Sequence, residues 1–242
     1  MGHGTPDWWG TEPTATVHKV SDLGELAARL GSIDTFDRRG DVVWLSGFED
    51  GLAEFIPVRT GAGSDRNIST TTACKGAYSL KLTIGSNAED MSGVEKWVPY
   101  PALSGFGGEV SFTWNTGLDR LEIWLILYDG TNRTYFAVNL SQTNGKIYYR
   151  NSAGGWTEID SLPAWATATD LFHVAKLAID LSTGKYMRLT LDNTGYSLAG
   201  ISAEAPLSAV QPNLLFSVRA YGPGVTTPTI YVDDMIITQN EP

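Results

Sequence analysis

The chain has 242 residues, 42% of them hydrophobic and 11% aromatic, with 17 basic and 27 acidic side chains and a net charge of −10. This suits one large globular domain with an appendage and excludes a disordered chain; the acidic balance repels phosphate backbones, so no nucleic-acid partner is expected. No stretch reaches the length of a membrane-spanning apolar helix, so no membrane partner is expected, and the single cysteine, Cys74, excludes an internal disulfide and reads as a small buried hydrophobe.

Residues 1–41 read as an N-terminal arm. Its start is rich in Gly, Pro and Thr, which is loop chemistry, yet it holds the pair Trp8-Trp9. Two large rings in a polar segment need cover, either by folding back on the domain or by inserting into a neighbouring subunit. The segment has no apolar core of a secretory signal, so synthesis in a cytoplasm is expected. Residues 22–31 read as one amphipathic helix. Asp22 is placed as N-cap with Glu25 completing a capping box, Gly31 closes the C-terminus, and Leu23, Leu26 and Leu30 share one face. A helix this short is marginal alone, so its leucine stripe requires a docking partner.

Asp37-Arg38-Arg39-Gly40 reads as a turn, and residues 42–242 read as all-β. The first strand is expected at Asp41–Leu45. Tyr78–Ile84 alternates, placing Tyr78, Leu80, Leu82 and Ile84 on one buried face. Glu109–Trp114 follows, and Leu121–Tyr128 is so apolar that a central strand buried on both faces is expected. Tyr135–Leu140 and Lys146–Arg150 flank the hairpin signal Asn144-Gly145. Trp156–Ile159, Phe172–Asp180, Lys185–Asp192, Leu214–Tyr221 and Thr229–Thr238 complete the set. Many short strands separated by Gly, Asn and Asp turns predict a sandwich or barrel.

Two chemistries can be weighed from the residues. A sugar site needs aromatics beside hydrogen-bonding groups, and Tyr148, Tyr149, Trp156 and Trp165 gather around the loop 151–155 as a candidate glycan platform. Catalysis lacks its parts. His3, His18 and His173 are far apart, no metalloprotease or hydrolase motif occurs, and Glu122 stands alone on its strand where a glycosidase needs a carboxylate pair. A non-enzymatic chain is expected, with His173 structural.

The opening Phe48-Glu49-Asp50-Gly51, the segment Lys75–Leu82 and the closing Tyr231-Val232-Asp233-Asp234-Met235-Ile236-Ile237 are similar to carbohydrate-binding-module jelly rolls. Phe172–Leu177 with Gly184-Lys185-Tyr186 resembles concanavalin-like sandwiches. Pro6-Asp7-Trp8 and the Asp37–Gly40 turn ahead of such a domain resemble virion proteins of tailed bacteriophages. These resemblances imply a jelly-roll β-sandwich behind an extended arm. They also imply a structural Ca²⁺ held by Glu49 and Asp233, with only one of Asp233 and Asp234 facing it because neighbours on a strand alternate. The function they imply is a virion structural protein, a capsid decoration or tail-associated component, that docks on other virion subunits through Trp8, Trp9, Leu23, Leu26 and Leu30 as a symmetric homo-oligomer. The alternative is a carbohydrate-binding module that meets surface glycans in adhesion.

Overall fold

The computed structural model describes residues 39–242, apart from 116, 166 and 167 and the side chain of 169. The expected helix 22–31, Trp8, Trp9, Leu23, Leu26 and Leu30 lie outside the described residues. Among those described every regular element is a strand. In chain order they are β1 (Asp41–Ser46), β2 (Ile56–Thr60), β3 (Asp65–Ser69), β4 (Ser79–Thr83) and β5 (Ala88–Pro99). Then come β6 (Gly105–Trp114), β7 (Arg120–Tyr128), β8 (Arg133–Ser141), β9 (Lys146–Arg150) and β10 (Trp156–Ser161). The last five are β11 (Ala168–Asp180), β12 (Lys185–Leu191), β13 (Thr194–Ser197), β14 (Asn213–Pro223) and β15 (Thr229–Gln239).

The strands form two antiparallel sheets, and the chain is a jelly-roll β-sandwich. The 8-stranded sheet runs β13-β12-β11-β6-β15-β4-β3 with β1 also on β15, and the 7-stranded sheet runs β10-β9-β8-β7-β14-β5-β2. Alternation builds the core between them. Leu121, Ile123, Leu125 and Leu127 of β7 and Leu214, Phe216 and Val218 of β14 meet Val110, Phe112, Leu177 and Ile237 of the opposite sheet. Each such side chain contributes about 2 kcal/mol through burial. The central position expected for Leu121–Tyr128 is observed: β7 lies between β8 and β14, and both of its faces are covered.

Tyr186 ties the sheets together. It rises from β12 through the core, accepts a hydrogen bond from the Ala137 amide at 2.9 Å and donates to the Arg150 carbonyl at 2.8 Å. Burial, the largest cause, raises its hydroxyl pKa well above the usual tyrosine range.

The opening and closing acidic segments do meet. One edge of β15 carries β4 as far as Val232 and β1 from Met235 onward, and a bulge lies between them. Asp234 takes a positive φ of 44° there. The bulge breaks strand alternation, and Asp233 and Asp234 are both buried. Tyr78 also departs from its predicted face: it precedes β4 and is 38% exposed.

Part of the outer face of the 8-stranded sheet is covered by the two ends of the described chain. Lys176, on β11 between the core residues Ala175 and Leu177, is 2% exposed. Its Nζ donates to the Arg39 carbonyl and pairs with Glu241 Oε1, both at 2.8 Å. Glu241 also meets Arg188 and Thr238, and Arg188 reaches the Pro242 carbonyl at 2.8 Å.

Candidate functional site

The outer face of the 7-stranded sheet has a different chemistry. Because β7 and β14 turn Leu121, Ile123, Leu125, Leu214, Phe216 and Val218 inward, their intervening residues form transverse rows with neighbouring strands. One row runs Tyr148–Asn139–Glu122–Arg219 across β9, β8, β7 and β14. The next holds the neighbours Trp156 and Arg150 on β10 and β9, and Ala137, Trp124, Ser217 and Glu95 on β8, β7, β14 and β5. A third runs Tyr135–Ile126–Leu215–Trp97, and a fourth Arg133–Tyr128–Asn213.

These rows pack into a second, smaller cluster outside the main core. Trp124, 7% exposed, sits with Ile126, Ala137 and Leu215, against which Tyr128, Tyr135 and Trp156 lean. Trp156 meets Trp124 edge to face at 5.9 Å, and Tyr135 does the same at 5.8 Å. Arginines lie over the rings, with Arg219 and Arg150 at 5.1 and 5.4 Å from Trp124 and Arg133 at 4.5 Å from Tyr135. Guanidinium over an aromatic face is favourable in its own right and holds both groups in place.

Most of the charges are matched. Arg219 pairs with Glu95 at 2.7 Å, Arg150 with Glu204 at 2.6 Å, and Arg120 with Glu122 at 2.9 Å and with Glu89 and Asp119. Glu122 also accepts the Trp124 indole N–H at 2.9 Å. Arg120 lies 3.8 Å above Tyr221, whose hydroxyl is pushed up to about 12, first by burial and then by the charge of Glu122. Two acceptors are not matched. Asn139 Oδ1 and Asn213 Oδ1 are buried without a hydrogen-bond partner, each on a side chain whose residue is 6% exposed. Such an atom costs about 1–3 kcal/mol in the free protein.

The predicted platform is divided by the fold. Tyr148 and Trp156 reach the outer face just described. Tyr149 points the other way and packs on Tyr186 at 5.8 Å, inside the sandwich. Trp165 lies against Phe112, Trp114 and His173 of the other sheet. There His173 stacks on Trp165 at 4.6 Å while its Nδ1 faces Asp192 Oδ2 at 3.0 Å. Although burial raises the Asp192 carboxyl, its bonds from His173 and the Val174 amide outweigh that and hold it below the usual range.

Glu49 and Asp233 share one task, fastening the loop that leads into β4. Glu49 Oε1 accepts the Ala77 and Tyr78 amides at 2.8 and 2.9 Å, and Asp233 Oδ2 accepts those of Cys74 and Lys75 at 2.8 and 3.3 Å. Burial, helped by Asp234, pushes Asp233 up to about 6. Among the described residues no group of three or more His, Cys, Asp or Glu is arranged to hold a metal. Cys74 is exposed, not buried as expected; its thiol is pushed up to about 11 by partial desolvation and the charge of Asp234, which makes it a poor nucleophile at neutral pH.

An open depression of about 550 Å³ lies elsewhere, beside the β12–β13 hairpin, lined by Arg39, Lys185, Arg188, Tyr196 and Pro242 among others.

The residues that sequence reasoning missed are Trp124, Tyr135, Asn139, Glu95 and Arg219. Trp124 stands in an apolar run that reads as core, and strand alternation is the one signal that would have turned it outward. The same alternation separates Tyr148 from Tyr149.

No protein-family model matches the chain, and no curated protein matches its sequence. Solved structures do match. An endo-β-1,4-glucuronan lyase from Trichoderma reesei aligns with TM-score 0.54 at 13% identity, over 82% of this chain and 95% of that one. A carbohydrate esterase of the Shiga toxin-encoding bacteriophage phi24B aligns with TM-score 0.52 at 12% identity, over 84% and 100%. A Bacillus subtilis protein of unknown function with a galectin-like fold gives TM-score 0.54 at 12% identity, over 84% and 97%. At such identities the likeness is one of architecture: the described chain has a galectin-like jelly-roll fold.

Proposed function

We propose that the outer face of the 7-stranded sheet binds glycan, and that the chain is a non-enzymatic carbohydrate-binding sandwich used in adhesion. The observation that carries this reading is the unpartnered, buried Asn139 Oδ1 in a row flanked by Tyr148 and next to Trp124 and Trp156. Sugars offer apolar C–H faces to rings and hydroxyls to acceptors, which is the pairing this face presents. Solved structures of the same fold include proteins described as acting on carbohydrate, which supports the class of ligand. The non-enzymatic reading is supported by the carboxylates: Glu95 and Glu122 are each held by an arginine, and His173 belongs to the other sheet. A glycan array tests the proposal. Wild type is expected to bind one glycan class in the micromolar-to-millimolar range and Trp156→Ala to lose at least about tenfold in affinity, the effect of removing one central aromatic anchor. Unchanged binding by Trp156→Ala overturns it.

The location proposed for this activity is a virion, as a capsid decoration or tail component docked through Trp8, Trp9 and the Leu23/Leu26/Leu30 stripe. What supports it is the arm's sequence. Light scattering on the full chain tests it: assembly that survives Trp8→Ala/Trp9→Ala removes the arm from the interface. A structural Ca²⁺ at Glu49 and Asp233 is a separate proposal, supported by the convergence of both carboxylates on one loop. Both already accept backbone amides, so the ion would use their remaining lone pairs. Calorimetric titration of chelated protein with Ca²⁺ decides, and absence of both heat and thermal shift removes it.

A further inference from the structure

The fourth row of the outer face differs from the first two, because its cation is unmatched. Arg133 forms no ion pair among the described residues, and its Nε is buried without a hydrogen-bond acceptor. Its guanidinium lies over the face of Tyr135 at 4.5 Å. By contrast Arg120, Arg150 and Arg219 on the same face each have a carboxylate within 3 Å. Across β7 from Arg133 stand Tyr128 and then Asn213, whose Oδ1 is the second unpartnered acceptor. Tyr128 is nearly parallel to the 40%-exposed Trp97, at 18° and 6.2 Å between ring centres.

From these positions we infer that this end of the face is a subsite for a carboxylate-bearing sugar residue, a refinement that rests on the glycan-binding reading. Arg133 and Asn213 are two strand spacings apart, about 10 Å, the span of one pyranose with its substituents. The sugar ring lies over Tyr128 beside Trp97. Its carboxylate takes the planar guanidinium fork of Arg133 through the terminal Nη groups, and a hydroxyl on its far side lies beside Asn213. The fork matches a planar carboxylate by two parallel N–H···O bonds. The net charge of −10 opposes an acidic ligand at long range. At physiological salt, charges beyond about 8 Å are screened, so the local guanidinium decides.

Calorimetric titration of the full chain with trigalacturonate and with its methyl ester, at physiological salt, separates the possible results. The two probes share a skeleton and differ in charge. The subsite predicts that the acid binds at least about tenfold more tightly than the ester, the usual size of a charge-assisted bond. It further predicts that Arg133→Gln, with its melting curve checked against wild type, abolishes the difference while leaving ester binding in place. Equal binding of acid and ester by wild type overturns this subsite and leaves the glycan reading standing. No binding of either probe, with no binding of neutral glycans on the array, overturns the reading and the subsite together.

Discussion

The two outer faces of this sandwich carry the same kinds of residue and treat them in opposite ways. On the 8-stranded sheet, Lys176, Glu109, Arg188 and Glu241 are drawn into one buried network, with Lys176 held by Glu241 and by the Arg39 carbonyl. On the 7-stranded sheet, arginines and carboxylates pair around Trp124 but leave Asn139 Oδ1, Asn213 Oδ1 and the Arg133 Nε–H without partners. A buried polar group without a partner is a cost to folding, and on the other sheet His173 Nε2 carries the same one. The first face fastens the ends of the described chain; the second gathers rings and arginines around Trp124.

The largest expected effect tests the face that fastens the chain ends. Lys176→Ala leaves Glu241 with Arg188 as its remaining cation and is expected to destabilise the fold by about 2–3 kcal/mol in urea unfolding, with glycan binding by the remaining folded protein unchanged. A loss under about 1 kcal/mol would break the contrast, because the network would then be no more than a surface ion pair. Tyr186→Phe comes next. It removes the hydroxyl that joins the core to Ala137 and Arg150 under the candidate site, and a loss of about 1–3 kcal/mol in stability is expected. Asn139→Ala sharpens the other side of the contrast. Affinity for glycan is expected to fall by about 1 kcal/mol, roughly fivefold, while the melting temperature does not fall, because the deleted acceptor made no bond in the free protein and its desolvation cost goes with it.

The smallest effect is in the acid limb of stability. Asp192 is held below its ordinary value of 3.8 by its bonds from His173 and Val174 despite the opposing effect of burial. The native state therefore binds fewer protons than the unfolded state in that window. Its contribution is complete above about pH 4 and is lost as pH falls through the lower folded value. Asp192→Asn is expected to lower stability at neutral pH and to make the acid limb shallower. An acid limb identical to wild type would remove the His173–Asp192 pair from the account.

Much of this fold is legible in the sequence where strands alternate cleanly or lie between strong turn signals. Tyr135–Leu140 and Lys146–Arg150 flank Asn144-Gly145, and β8 and β9 form there. The missed strand of greatest consequence is β5, Ala88–Pro99. Its sequence puts Glu95 and Lys96 side by side, so neither face reads as apolar. Those charges are tolerated because Arg219 meets Glu95, and Glu54 and the Trp44 ring receive Lys96. All three partners lie far away in the sequence, where no local pattern reaches. The candidate site divides in the same manner. Tyr148 and Trp156 stand out as aromatics near a glycine turn, but an unpartnered acceptor such as Asn139 Oδ1 is defined only by its neighbours in space.

The account's central claim, that ligand meets the outer face of the 7-stranded sheet, is tested most directly by following tryptophan indole N–H resonances while the best array glycan is titrated into the full chain. Trp156 and Trp124 sit on that face, whereas Trp44 and Trp114 pack against the main core. The account predicts saturable shifts of the Trp156 and Trp124 signals, with Trp44 and Trp114 unmoved. Shifts confined to Trp44 or Trp114, or none at all with a glycan that binds, would place the ligand elsewhere and contradict it.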